Sequence, residues 1–459
     1  MASASSPEDT KIDPLTVESA LIAEDAALYL GVAVLQVGSL FFAHKKYASF
    51  IFFGLLAVIT VYLGSKRQDI PEERTAITNK QAATAPILAS ISLLGIYTIL
   101  RYTDISVGIV YQYITTFVGV GSAVSILVPA LKSVLPKSIA EMPVSGPLDS
   151  LFNLIVDDED KAKKGDDQPL ADLSEIIVLL SALCAGAVYL NPGVDLTSKF
   201  VVSNVLAWCI GMQSIGVIAI SSFRTALLLL GGLFLYDIYW VFGTDVMMTV
   251  ATQIEAPVKF LYPVFTEPMK PYPFSVLGLG DIVIPATFCT LMRTFDAFLA
   301  DDRATAAREA EAALAKKNRK SGGAWPWASD KEGAAWFLNS ASWMGTPRGL
   351  TGGDSGKPGR VASVGGNATA KARGASVLPK GKLSYFDSSV KAYALGLGLC
   401  FAVNLLSQSG QPALLYLNPM LVASAIATAL ANGEDDLKKL LSFESSVGAA
   451  NEENVKKVV

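Results

Sequence analysis

The chain has 459 residues but only one histidine, four cysteines and few charges, with 17% of residues charged against 51% hydrophobic. Each shortage removes a class of chemistry. An intramembrane zinc protease needs HExxH, and a membrane serine protease needs a Ser–His pair; neither can be built from His44 alone, which sits beside Lys45 and Lys46 and reads as an interfacial residue. Cys184, Cys209, Cys289 and Cys400 all fall inside apolar runs. They read as small buried side chains, not as a disulfide framework or a metal site. The glycine–lysine pair at Gly356 lacks the upstream glycine of a phosphate loop, and Pro358 stands where Ser or Thr is required. No metal or cofactor is therefore expected. The first 25 residues are polar and acidic without a basic start, which excludes a cleavable signal peptide. No segment interleaves basic and aromatic residues as a nucleic-acid surface does. So apolar a composition is that of a polytopic membrane protein.

What is abundant is long apolar sequence. A membrane-spanning helix needs about 20 largely apolar residues, with ~17 as a minimum. Runs that qualify lie at 47–64, 86–103, 107–130, 174–190, 200–220, 225–243, 275–295, 388–407 and 412–431, nine in all. A marginal run at 28–43 is a tenth candidate, and 28–64 reads either as a tight hairpin or as one span with an interfacial extension. The expected fold is an all-α bundle of nine transmembrane helices.

Charge orients it. Alternate loops, ending with the C-terminal tail, carry 28 lysines and arginines, and the opposite loops carry three: Lys199, Lys259 and Lys270. Long loops count for less in this rule, yet 14 against three remain when 296–387 is set aside. The C-terminus is expected in the cytosol. The resulting plan is a polar tail at 1–27, membrane helices over 28–295, a cytosolic loop at 296–387, the last two spans over 388–431 and a cytosolic tail at 432–459. The loop opens with DDRATAAREAEAALAKKNRK, which should extend the preceding helix or form a surface helix. Its remainder is rich in Gly, Ser and Lys, the composition of disorder.

Two acids break the apolar pattern. Asp237 is the thirteenth of nineteen residues in its run, and Asp281 is the seventh of twenty-one in the next. An ionisable group near mid-bilayer costs ~2.5–3.5 kcal/mol on insertion scales, so it normally faces a partner or a water-filled cavity. Antiparallel neighbours with these offsets bring both carboxylates to similar depth, about a third of the way in. Capping or backbone binding accounts for one isolated acid more easily than for two at matched depth. Gly278 and Gly280 flank Leu279 just before the second acid and remove side chains where another backbone can approach. Gln411-Pro412-Ala413-Leu414 opens the last run, where Pro412 favours an irregular, water-accessible start. A DSG at Asp354 lies in a flexible run with no hydrophobic strand beside it and is read as coincidence.

Three segments together, LYDIYWVFGTDVM, LGLGDIVIPATF and QPALLYLNP, resemble the intramembrane aspartyl proteases, the presenilin and signal peptide peptidase group, and within it the signal peptide peptidase branch. The resemblance spans roughly 80–430. It implies a presenilin-like bundle, with Asp237 (beside Tyr236) and Asp281 as the catalytic pair, and Gln411, Pro412, Ala413 and Leu414 shaping the site with Gly278, Leu279 and Gly280. It implies transmembrane segments as substrates, including remnant signal peptides and type II membrane proteins. Homo-oligomers and degradation complexes of the endoplasmic reticulum are the assemblies it leaves open. Three departures are visible: Asp245, read as a surface residue at the end of the Asp237 helix, where the family has Asn; the long 296–387 insertion; and the extra 28–43 run. The terminal NVKKVV places Lys456 and Lys457 as a dilysine retrieval signal for the endoplasmic reticulum.

Two carboxylates in a low-dielectric site should share one proton and hydrolyse a peptide through activated water. A transporter or channel using Asp237 and Asp281 as a proton or cation relay is the competing reading, and it needs neither GLGD nor QPAL. A scaffold without activity would leave both acids without purpose.

Overall fold

The computed structural model describes residues 25–42, 47–67, 74–102, 107–140, 172–264, 274–321, 382–407 and 411–445, with Ile22 and Met142 as isolated positions. His44, Asp354, Asn367, Lys456, Lys457, most of the 1–27 tail and the Gly/Ser-rich part of the long loop lie outside the described residues.

In chain order the helices are α1 (Ala26–Phe42), α2 (Ala48–Lys66), α3 (Asn79–Tyr102), α4 (Val107–Val134), α5 (Lys137–Ala140), α6 (Leu173–Leu190), α7 (Leu196–Val217), α8 (Phe223–Phe242), α9 (Val246–Gln253), α10 (Gly280–Ser321), α11 (Tyr385–Ser407), α12 (Leu414–Asn432) and α13 (Glu434–Ser442). Four short strands are β1 (Thr75–Ile77), β2 (Ile218–Ile220), β3 (Lys259–Pro263) and β4 (Phe274–Gly278). Among the described residues nine helices are long and apolar enough to cross a membrane, and each overlaps one of the nine runs read from sequence. At 17 residues α1 spans about 25 Å, short of a ~30 Å hydrocarbon core. The chain is a multi-pass membrane protein.

Apolar side chains do not drive helices together in lipid, so close packing at small residues and polar cross-links does. A Cβ on Gly232 of α8 would lie 2.5 Å from Pro86 of α3, and one on Gly64 of α2 would lie 2.7 Å from Ile215 of α7. Trp240 of α8 donates to the Ser90 hydroxyl of α3 at 2.9 Å, and the Asn418 amide of α12 donates to the Leu230 carbonyl of α8 at 2.8 Å. Lys132 of α4 binds Asp172 at 2.7 Å and Glu175 at 3.2 Å, tying α4 to the start of α6. Leu88, Ile91 and Phe117 stand exposed on α3 and α4, as lipid-facing positions must.

One end of the bundle is tied by short strands. β1 pairs with β2 in parallel. After α13 the chain returns to the same place: Ser445 N–H donates to the Ser221 carbonyl at 2.7 Å, and Phe443 packs on Phe295 with ring centroids 5.0 Å apart. Asp296 of α10 accepts from the Ser384 hydroxyl at 2.8 Å and from the Tyr385 and Phe386 amides at 3.1 and 2.9 Å, capping α11 from a neighbouring helix.

Three expectations are corrected. The run at 275–295 is not helical throughout. Phe274–Gly278 is a strand paired antiparallel with Lys259–Pro263, and the helix starts only at Gly280. A short apolar run cannot be assigned to helix or strand by periodicity, and here the glycines on either side of Leu279 mark the change. Asp245 does not lie on the helix of Asp237; α8 stops at Phe242, and Asp245 is an exposed residue preceding α9. Cys184 is exposed while the other three cysteines are buried, because the lipid face of a helix is as apolar as its packed face.

Candidate active site

The two acids arrive on different elements. Asp237 lies on α8, which begins at the Ser222 cap, where the Ser222 hydroxyl accepts from the Thr225 amide at 3.1 Å. Its side chain is buried, with 4% exposed, and Oδ2 has no hydrogen-bond partner among the described residues. Tyr236 beside it is half-buried, with its ring 6.4 Å from that of Trp240. Asp281 lies in the first turn of α10, directly after β4, and is partly exposed. A carboxylate there also meets the favourable end of the helix dipole.

The two carboxylates come close enough to interact electrostatically, and the Cys400 thiol of α11 interacts with both. Tyr393, fully buried and two turns before Cys400 on the same helix, donates its hydroxyl to the Asp281 carbonyl at 3.2 Å. Three helices therefore converge on the pair.

The segment opening α12 supplies the fourth side. Gln411 uses both ends of its amide: it donates to the Ser407 hydroxyl at 3.1 Å and accepts from the Tyr416 hydroxyl at 3.2 Å. Pro412 and Ala413 are buried and precede the helix, which begins at Leu414. The first N–H groups of a helix have no partner within it. Pro412 carries no N–H, and the amides of Leu414 and Leu415 interact with the Asp237 carboxylate. The proline thus sets where the free amides begin, and those amides meet the acid.

On the Asp281 side, the β3–β4 hairpin is packed into the bundle, with Phe260, Leu261 and Tyr262 buried and the Tyr262 ring against Phe52 and Phe53 of α2. The Leu279 amide donates to the Val258 carbonyl at 3.2 Å. A Cβ on Gly278 would reach Asp281 Oδ2 only at 3.6 Å, and one on Gly280 would meet nothing within 4 Å. Lys259, at the hairpin's start, donates to the Ala251 and Ile254 carbonyls at the end of α9. Burial pushes its amine down to about 8 against the opposing charge of Glu255.

The fold brings together Asp237, Asp281, Leu414 and the strand ending at Gly278. Tyr393, Asn204 and Asn418 escaped the sequence reading, and Cys400 was read only as a small buried side chain. The usable signal for the two asparagines was the same as for the acids, a polar side chain inside an apolar span. Tyr393 carries no such signal, because tyrosine is common in membrane helices. No group of three or more metal-ligating side chains occurs among the described residues.

Architecture and likeness define the class first: this is an intramembrane protease of the aspartic type. More particularly, a family profile described as signal peptide peptidase matches residues 68–447, and the chain belongs to that family. It is 27% identical to a probable intramembrane protease of Schizosaccharomyces pombe, over 87% of this chain and 96% of that protein. Human signal peptide peptidase is 26% identical over 86% of this chain and 80% of its own length. Intramembrane protease 2 of Caenorhabditis elegans is 30% identical over 57% of this chain and 42% of its own. No solved structure matches. The chain is an intramembrane endopeptidase acting on transmembrane substrates, and the transporter reading finds no support.

Proposed function

We propose that Asp237 and Asp281 are the catalytic pair of this protease, and that it cleaves remnant signal peptides and type II membrane segments in the endoplasmic reticulum. The observation that carries the assignment is the convergence of the two acids with the α12 amides that meet Asp237. The pair shares one proton. The ionised carboxylate takes a proton from water as the water attacks the scissile carbonyl. The protonated carboxyl donates to the carbonyl oxygen and later helps protonate the leaving amine. The Leu414 and Leu415 amides hold Asp237 in place, and the Tyr393 hydroxyl holds the backbone at Asp281.

A substrate helix has its carbonyls bonded internally, so it must unwind before cleavage. Among the described residues β4 has no strand on its outer side, and the unwound substrate pairs there, beside Gly278 and Gly280 and close to Pro412. The deciding experiment is cleavage of a fluorogenic transmembrane peptide by purified protein, with and without an aspartyl-protease transition-state inhibitor. Absence of inhibitable cleavage would refute the assignment.

The C-terminus faces the cytosol, where Lys456 and Lys457 act in retrieval, and the long loop lies on the same side. Asn367, in the chain's one glycosylation sequon, then stays unmodified. A glycosidase-sensitive mobility shift that vanishes in Asn367→Gln would reverse the orientation. Homo-oligomers and a degradation complex remain the assemblies to test by native mass measurement of the solubilised protein.

A further inference from the structure

At Leu261 the outer edge of β3 is closed by a side chain. Asn204 of α7 is fully buried. Its amide nitrogen donates to the Leu261 carbonyl at 2.8 Å, and its amide oxygen accepts from the Leu261 N–H at 2.8 Å. A carboxamide has the donor and acceptor of a peptide unit, so Asn204 stands in for one residue of a third strand. Both Leu261 groups point to α7, so neither points to β4. Leu261 is opposite Val276, and this pair is therefore a non-hydrogen-bonded one. By the alternation of an antiparallel ladder, Val276, and with it Gly278, turns N–H and C=O outward on the far side of β4.

The same helix makes a second contact with the segment. Gly211 lies seven residues on from Asn204, two turns along one face of α7, and a Cβ there would be 3.1 Å from the Leu279 side chain. Leu279 is two residues before Asp281. One helix face thus fixes the hairpin at β3 and again at the residue joining β4 to the first turn of α10.

We infer that Asn204 is a positioning residue for cleavage: it seals β3 and sets the register of β4, so that a substrate strand finds one open edge at one offset from Asp281. In hydrocarbon an unpaired strand edge is costly, so a hairpin with two open edges could take a partner on either side. With β3 sealed, the choice of scissile bond is fixed by the register Leu261–Val276. This rests on the assignment of Asp281 and on pairing at β4 proposed above.

The test compares wild type, Asn204→Leu, Asn204→Gln and Asp281→Asn as purified full chains on one transmembrane peptide, with products identified by mass spectrometry. Asn204→Leu keeps the volume and loses both hydrogen bonds. It should lower kcat/KM by about tenfold or more and spread cleavage over neighbouring bonds, since small misplacements carry large rate costs. Asn204→Gln keeps both amide atoms one methylene further out. It should fold and show the same broadening to a smaller degree, which decides the matter if the leucine variant fails to fold. A slower enzyme with the wild-type product pattern, or a glutamine variant with wild-type rate and products, would overturn the inference. Cleavage by Asp281→Asn would instead overturn the catalytic assignment, a result distinguishable from the others because it does not involve Asn204.

Discussion

Asp237 and Asp281 reach one another by opposite means. Asp237 is carried on an unbroken helix, and its position is set by packing: Gly232 against Pro86, Trp240 on Ser90 and Asn418 on Leu230 clamp α8 from both sides. Asp281 is carried on the first turn after a strand, and its approach is built from backbone, with glycines at 278 and 280 and a hairpin fixed from α7. The first half of the site is a matter of helix geometry. The second leaves main chain uncovered where a substrate main chain must come. Changes near Asp237 should therefore register as stability, and changes near Asp281 as handling of substrate.

The largest effect falls where the two halves are equivalent. Asp237→Asn and Asp281→Asn should each abolish cleavage, by about a thousandfold or more, with normal insertion and abundance. Asparagine keeps shape and hydrogen-bonding capacity while removing a group costly to ionise in the membrane. Neither variant can both activate water and donate the shared proton, so the double variant should be no worse than either single one. Initial rates on the fluorogenic peptide check this, and a variant retaining a tenth of the activity would remove its acid from the catalytic pair.

The next prediction separates the halves. Gly280→Ala adds a methyl into open space, and Gly278→Ala meets Asp281 only at ordinary contact distance. Each should leave thermal stability nearly unchanged and cut kcat/KM about ten- to a hundredfold by blocking close approach of another backbone. Gly232→Ala, on the Asp237 side, drives a Cβ against Pro86. It should cost about 1–3 kcal/mol of stability, with the folded fraction retaining its kcat. The reverse pattern in melting curves and rates would dissolve the distinction.

How far this was legible beforehand follows from the same contrast. Both acids, the glycines and the QPAL segment stood out because each breaks an apolar run, and the nine spans were readable because length and hydropathy alone select a membrane helix. The strand at Phe274–Gly278 was not readable, since a short, mostly apolar stretch beside a helix looks like its first turns, and only the pairing with Lys259–Pro263 decides. Why PAL matters was equally hidden: the amides of Leu414 and Leu415 belong to every residue alike, and only folding points them at Asp237. Asn204 was visible as a polar residue in a span, but its partner is backbone, which leaves no mark in sequence.

A smaller effect belongs to Asp296, the third acid of these helices. It accepts three hydrogen bonds at the start of α11, the helix that carries Tyr393. Asp296→Ala leaves those donors without their acceptor and should cost about 1–3 kcal/mol. Thermal unfolding in detergent should show the loss, and the remaining folded enzyme should cleave at close to the wild-type rate. Abolished cleavage at unchanged stability would give Asp296 a direct part in the chemistry.

The smallest effect is expected at Asp245, and it tests the boundary of the Asp237 half. Asp245 stands eight residues beyond Asp237 and, read along the chain, seemed to share its helix. The chain breaks between them: α8 ends at Phe242, and Asp245 sits exposed at the head of α9 without a side-chain cap bond. An exposed carboxylate with no partner to lose contributes little, so Asp245→Asn should change neither rate nor melting temperature by more than about the few tenths of a kcal/mol typical of surface positions. Asp354→Asn, in the isolated DSG, should be equally silent. A tenfold loss at Asp245 would mean that α9 closes over the site during turnover. The clamp on Asp237 would then extend past Phe242, and the site would no longer divide into a packed half and an open one.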